Sequence, residues 1–280
     1  MVELCLVGYT YRGYEMAYAM QQARAHGFAG IELRSFSDID LSTPDRVAHT
    51  LDRATQLAGS LDLAINSVYY APLPVSRNHE RADEEQDFVA VLEILEHFQI
   101  PILHTQISLH RIDGNGEVTS AGAAVDDFAS IQLVLKRVAS VAERLQVTIA
   151  LETHMGRVHD TAASLLRILS SNHSPAVVAS LDFANMLITH PQENLVNAVR
   201  MFGDRIGYTH IKGVKLLPGG YDWNIPVRFG DINYYLILQT IKAVGYRGQL
   251  AIEYCGTGDP DVFVAEDARY IGDLVDHLGL

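Results

Sequence analysis

Residues 147–154 read VTIALETH. A run of apolar and β-branched residues passes straight into a glutamate and, two residues on, a histidine. Short continuous apolar runs are the pattern of strands buried on both faces, where a terminal carboxylate has no packing use. Three later runs end in the same way: VVASLD at Asp182, GYTH at His210 and LAIE at Glu253. Between them lie segments with apolar residues at three- and four-residue spacing, which is the helical pattern.

The same alternation extends over the whole chain. The spacing predicts strands at Glu3–Val7, Phe28–Leu33, Leu61–Val68, Ile100–Gln106, Val147–Glu152, Pro175–Asp182, Ile206–Ile211 and Leu250–Glu253. Helices are expected at about 12–26, from Pro44 to about Ala58, and at 80–98, 123–145, 161–170, 191–202, 231–244 and 261–278. Gly27, Gly59 and Gly245 stand at helix ends, and Pro44 after Ser42-Thr43 at a helix start. A polar loop reads Asp113-Gly114-Asn115-Gly116, and the longest connection, Lys212 to about Gly230, carries Gly219-Gly220, Trp223 and Pro226. Eight strand–helix units without a linker predict one domain over 1–280, a single (β/α)8 TIM barrel of eight parallel strands with outer helices. A doubly wound sheet would show a glycine-rich phosphate turn after its first strand; the turn here reads GYTYRG and lacks that spacing.

Composition sets outer bounds. The chain of 280 residues is 48% hydrophobic and 20% charged, enough for a full core. Its formal charge of −13 and the lack of a basic cluster argue against a nucleic-acid partner. No stretch reaches the length of a membrane span, and the start MVELCLVGYTYRGYEM has no signal-peptide pattern, so a cytoplasmic setting is expected. Cys5 and Cys255 form no CxxC pair and read as small buried hydrophobes.

All eight strand ends of a parallel barrel open on one face, where sites are built. Glu152, Asp182, His210 and Glu253 end strands five to eight, which are neighbours around the ring. Three carboxylates and an imidazole facing one point repel and desolvate one another unless a cation joins them. One divalent ion resolves this: Mn²⁺ in the first place, with Mg²⁺, Co²⁺ or Zn²⁺ also suited to a mixed oxygen and nitrogen set.

The motifs ALETH (150–154), LDFAN (181–185), THIKG (209–213) and RFGDINYYLILQTIKAVGYRGQLAIEY (228–254) resemble those of the xylose isomerase-like TIM barrels. That superfamily includes sugar isomerases, ketose 3-epimerases, hydroxypyruvate isomerase, inosose dehydratase and endonuclease IV. The resemblance implies that Glu152, Asp182, His210 and Glu253 ligate one metal and that Glu152 and Glu253 also act as acid and base. Such a pair fits proton abstraction beside a carbonyl, with the metal holding enediolate charge. Return of the proton to the opposite face gives epimerisation; return to the neighbouring carbon gives aldose–ketose isomerisation.

The sequence departs from the families it resembles in three places. Asn185 stands where 3-epimerases carry a histidine, and Leu216, beside Lys215, where they carry an arginine. Asp222-Trp223-Asn224 lacks the imidazole of the endonuclease Asp-x-His pair, which argues against a trinuclear nuclease. The leading expectation is therefore a metal-dependent isomerase or epimerase of a sugar, keto-sugar or small hydroxy-carbonyl. A dehydratase of a cyclic polyol ketone and a metal-stabilised binding protein are the alternatives. The expected partner is a carbohydrate-like small molecule, and a homodimer or homotetramer is a further expectation. Substrate contacts are expected from His154, Asn185, Lys212, His104, Gln106, Arg228 and Trp223, with Tyr9, Tyr11, Tyr69 and Tyr70 as possible walls. Glu32 is expected to cap a helix or pair with Arg34.

Overall fold

The computed structural model describes residues 1–75, 81–110 and 116–280. Eight parallel strands close into a barrel: β1 (Glu3–Val7), β2 (Gly30–Leu33), β3 (Ala64–Tyr69), β4 (Ile102–Thr105), β5 (Thr148–Glu152), β6 (Val177–Asp182), β7 (Ile206–Ile211) and β8 (Gln249–Ile252). Closure is made by β1 lying between β2 and β8, with Cys5 opposite Gly30 on one side and Ala251 on the other. Around it stand α1 (Met16–Ala25), α2 (Pro44–Ser60), α3 (Ala82–His97), α4 (Val125–Leu145), α5 (Ala162–Ser170), α6 (Phe183–Thr189), α7 (Leu195–Phe202), α8 (Tyr234–Ala243) and α9 (Pro260–Leu278). Among the described residues no helix is long and apolar enough to cross a membrane.

Two cores follow from the strand period of two. Outward-facing residues pack against the helices in one large cluster. On α2, for example, Val47, Leu51, Ala54 and Ala58 recur at helical spacing and are buried. Inward-facing Cys5, Val7, Ile102, Ala150, Tyr208 and Ala251 fill the barrel itself. Cys5 is buried, Cys255 half-buried, and both are free thiols whose burial pushes their pKa up to about 12.

The main departures from the sequence pattern are at segment ends. Between β6 and β7 spacing predicts one helix, over 191–202; it is present as Leu195–Phe202, and a further helix, Phe183–Thr189, precedes it. Asp182 ends β6 and at once caps α6, its Oδ1 accepting from the Asn185 amide at 2.9 Å. Gly27 takes φ +78° after α1, as a helix-ending glycine does, but Gly59 lies inside α2 and Asp62 supplies the left-handed residue at φ 52°. Asp231 does not open α8; Asn233 caps it, accepting from the Leu236 amide. Just beyond the stretch read as the fourth strand, which ends at Gln106, lies a separate short strand, Ile107–Leu109, paired in parallel with Leu73–Val75. His210 is next to last in β7, and Glu253 lies one residue beyond β8. Glu80 and the polar run Asp113-Gly114-Asn115 lie outside the described residues.

The long connection after β7 folds into an antiparallel ribbon, Lys215–Leu217 with Gly220–Asp222, and then runs back past the strand end. A Cβ at Gly213 would meet the Ile225 carbonyl oxygen at 2.1 Å, so only glycine permits this approach. Asp267 of α9 fastens the far side by accepting from the Val227 amide at 2.7 Å. Burial pushes the Asp267 carboxyl from 3.8 up to about 7. The folded chain thus keeps a proton that the unfolded chain releases. Its stabilising contribution is full below pH 3.8 and is lost as pH rises toward 7. Asp267→Asn retains the acceptor and cannot ionise. In urea denaturation at pH 4 and pH 8, the variant is expected to gain on the order of 2–4 kcal/mol relative to wild type between the two; an unchanged difference refutes this.

Candidate metal centre

The period of two that builds the inner core also stacks polar groups toward the carboxyl ends of the strands. Above Ala150 on β5 comes Glu152, above Tyr208 on β7 comes His210, and above Ala251 on β8 comes Glu253. Asp182 lies opposite His210 in the β6–β7 register. One ligand atom from each of Glu152, Asp182, His210 and Glu253 lies within 4.8 Å of every other. All four are buried.

His210 is the centre of the group. Its Nδ1 stands 3.3 Å from Glu152 Oε1, 3.6 Å from Asp182 Oδ2 and 3.2 Å from Glu253 Oε2, yet it has no hydrogen-bond partner among the described residues. A buried imidazole nitrogen without a hydrogen bond, ringed by three carboxylates, is the arrangement that a divalent cation satisfies. Burial disfavours charge on His210, but Glu253, Asp182 and Glu152 outweigh it and hold its pKa well above the ordinary range. Burial likewise opposes ionisation of Glu152 and Glu253, and the neighbouring cations prevail: His210 for Glu152, and Lys212 with His210 for Glu253.

The surroundings orient these groups. Gln106 Nε2 donates to Glu152 Oε2 at 2.8 Å, and Asn185 Nδ2 to Oε1 at 3.3 Å. Asp182 divides its work, with Oδ1 capping α6 while Oδ2 faces His210. Lys212 Nζ sits 2.7 Å from both Asp182 Oδ2 and Glu253 Oε2, so any bound cation shares those two carboxylates with an ammonium. Trp223 is half-buried, with Lys212 Nζ 5.8 Å from its ring centre. His154 is half-buried at the mouth, its Nδ1 2.9 Å from the Met155 carbonyl oxygen.

Two expected substrate contacts are placed elsewhere. Arg228 is exposed, paired with Glu266 at 3.7 Å and stacked on Phe229, outside the cluster. His104 points into the barrel floor, fully buried, with its Nδ1 3.0 Å from Glu32 Oε2. Of the tyrosines, Tyr69 reaches the mouth, whereas Tyr11 donates to Asp261 and Tyr70 packs near Phe88.

Glu32 caps no helix but does form the expected ion pair with Arg34, whose Nη1 is 3.8 Å from its Oε1. Its Oε2 gathers His104, the Ser67 hydroxyl at 3.2 Å and His210 Nε2 at 3.5 Å. A shift in the β2–β3 register between Ile31 and Glu32 sets Glu32 opposite Ser67. This is the partner a metal-ligating histidine requires on its far nitrogen, holding the proton on Nε2 and leaving Nδ1 free to ligate. The signal was in the sequence: Glu32 stands in β2 as His104 does in β4.

A family model described as xylose isomerase-like TIM barrel matches residues 20–275. No curated protein matches the sequence. Similar solved structures include D-allulose 3-epimerase from Methylomonas sp., with TM-score 0.76 and 18% identity over 98% of both chains. The probable 3-DHS dehydratase AsbF of Bacillus anthracis gives 0.74 and 17%, covering 97% of this chain and 99% of that one. IolI protein, whose crystal structure contains a bound zinc atom, gives 0.78 and 17% over 99% of both. At these identities the likeness establishes the fold.

Glu32→Gln keeps the shape but removes the charge that orients His210. Calorimetric titration with Mn²⁺ is expected to show affinity about 10- to 100-fold weaker, with an unchanged circular dichroism spectrum. Unaltered affinity would exclude this role for Glu32.

Proposed function

The chain belongs to the xylose isomerase-like TIM barrel family, and from that premise and the site geometry we propose a divalent-metal-dependent isomerase or epimerase acting on a sugar, keto-sugar or small hydroxy-carbonyl compound. The observation that carries this reading is the placing of Glu152 and Glu253. They approach His210 from β5 and β8, strands separated by β6 and β7, and each keeps a carboxylate oxygen within 3.3 Å of the same imidazole nitrogen.

Two ionised carboxylates flanking one point are suited to removing a proton on one side and returning it on the other. Glu152, held by the amides of Gln106 and Asn185, is fixed in direction. Glu253, beside Lys212, is kept ionised and ready to accept a proton. Glu152, Asp182, His210 and Glu253 would hold a divalent ion, which when bound would supply positive charge to stabilise negative charge on substrate oxygens. Mn²⁺ is the first choice, with Mg²⁺, Co²⁺ and Zn²⁺ compatible with the same ligand set. Lys212 stands ready to donate to an oxygen that becomes negative as the proton leaves, and Trp223 covers it. Buried walls exclude water and strengthen these interactions.

Asn185 and Leu216 occupy places where 3-epimerases carry histidine and arginine, so the polar contacts to the far end of the substrate differ here. Neighbours in fold include both epimerases and a probable dehydratase, and expulsion of a hydroxyl after the same proton removal is the second reading.

Incubation of the Mn²⁺-loaded protein in deuterium oxide with a panel of ketoses and keto-acids is expected to place deuterium on the carbon beside the carbonyl, seen by NMR. An alkene or enol product would favour the dehydratase. Glu152→Gln and Glu253→Gln should each lower exchange by about 10²- to 10⁴-fold with the fold intact. Full activity in either variant would overturn the two-glutamate mechanism.

A further inference from the structure

Arg34 is a largely shielded cation with no hydrogen-bond acceptor among the described residues. It follows Glu32 by two residues and so leans to the same side of the strand, one level nearer the mouth. Its guanidinium lies 3.9 Å from the centre of the Tyr69 ring and 5.3 Å from that of Tyr9. Its side chain is 13% exposed, and Nη1 is sealed from solvent without a hydrogen bond. Glu32 Oε1, at 3.8 Å, is beyond hydrogen-bonding range, and Glu32 Oε2 is taken by His104, Ser67 and His210.

Among the described residues, three other cations near the strand ends are engaged. Arg12, whose guanidinium lies 4.6 Å from the centre of the Tyr9 ring, donates to the carbonyl oxygens of Tyr9, Tyr254, Cys255 and Gly256. Arg157, in the loop after β5, pairs with Glu117. Lys212 is shared by Asp182 and Glu253. Arg34, by contrast, is held by ring faces, by an ion pair with Glu32 too long for a hydrogen bond, and by the charges of Glu253 and Glu152, which together outweigh the effect of burial on its pKa. Cation–π contacts keep a guanidinium in place but leave its in-plane N–H donors free. Once a divalent ion and Lys212 balance Glu152, Asp182 and Glu253, the distant attraction also falls away. What remains is a flat fork of donors without hydrogen-bond partners beside the clustered carboxylates, a geometry that matches a carboxylate or phosphate.

We propose that Arg34 is a substrate-binding residue for an anionic group, and that the substrate is therefore a hydroxy-carbonyl compound bearing a terminal carboxylate or phosphate. This rests on the enzymatic reading given above. Tyr9 and Tyr69 hold the guanidinium edge-on to the substrate, and the metal-ligating cluster receives the carbonyl end.

The test uses the Mn²⁺-loaded protein and sets of hexuloses, each as the neutral sugar, the acid oxidised at the terminal carbon and the ester phosphorylated there. Binding is read by calorimetry and proton exchange by NMR. In at least one set the wild type is expected to bind an anionic member about 10- to 100-fold more tightly than the neutral one. The acid and the ester, compared with each other, identify which anion is taken. Arg34→Gln should reduce the preference to under about twofold, and Arg34→Lys, which keeps charge but loses the fork, should restore part of it. Equal binding of neutral and anionic members, binding of none, or a preference that survives in Arg34→Gln overturns the proposal. A countercharge role alone would instead tighten Mn²⁺ binding in Arg34→Gln and change all ligands alike, and that result also overturns it. Anion binding through Arg34 without proton exchange would refute the enzymatic reading while leaving this one standing.

Discussion

Like charge confined in a dry space governs this molecule. Glu152, Asp182 and Glu253 are all buried within reach of one imidazole nitrogen, and Glu32 lies just below on its other side. Isolated carboxylates do not survive ionised in such surroundings. Each is therefore bound into a set of donors: Gln106 and Asn185 on Glu152, the α6 terminus on Asp182, Lys212 on Asp182 and Glu253, and the two histidines on Glu32. The barrel supplies a rigid frame on which these compensations are fixed, because a looser frame would let the carboxylates separate into water.

Much of this is legible in the sequence, because the two signals are geometric. Strand ends in a parallel barrel share one face, and residues two apart on a strand share one side. VTIALETH, VVASLD, GYTH and LAIE therefore place Glu152, Asp182, His210 and Glu253 together without reference to any contact. The same parity finds Gln106 and Lys212 beside them. The alternation of strands and helices gives the eight-unit barrel, and β7 falls at the predicted residues.

What the pattern misses depends on distances and directions that periodicity does not encode. His104 has the expected parity but sits one layer too deep, where Glu32 captures it. Arg228 lies in an irregular loop, where no period predicts direction, and α9 draws it outward through Glu266. The extra helix α6 arises because Asp182 serves as both strand end and helix cap, a dual use that apolar spacing cannot reveal. Glu32 keeps the Arg34 pair that the sequence suggests through Oε1, while the register shift between β2 and β3 brings its Oε2 to Ser67 and the histidines, which periodicity does not show.

The ribbon after β7 has a separate consequence. Asp231 holds its base by accepting from the Leu216 amide at 2.8 Å and pairing with Lys215, and Asp267 anchors the returning chain at Val227. The segment between these fastenings carries Trp223 but none of the four clustered side chains. It is in effect a cassette. Evolution or a designer can exchange it between barrels of this kind, changing the roof of the chamber while the floor and its charges stay as they are.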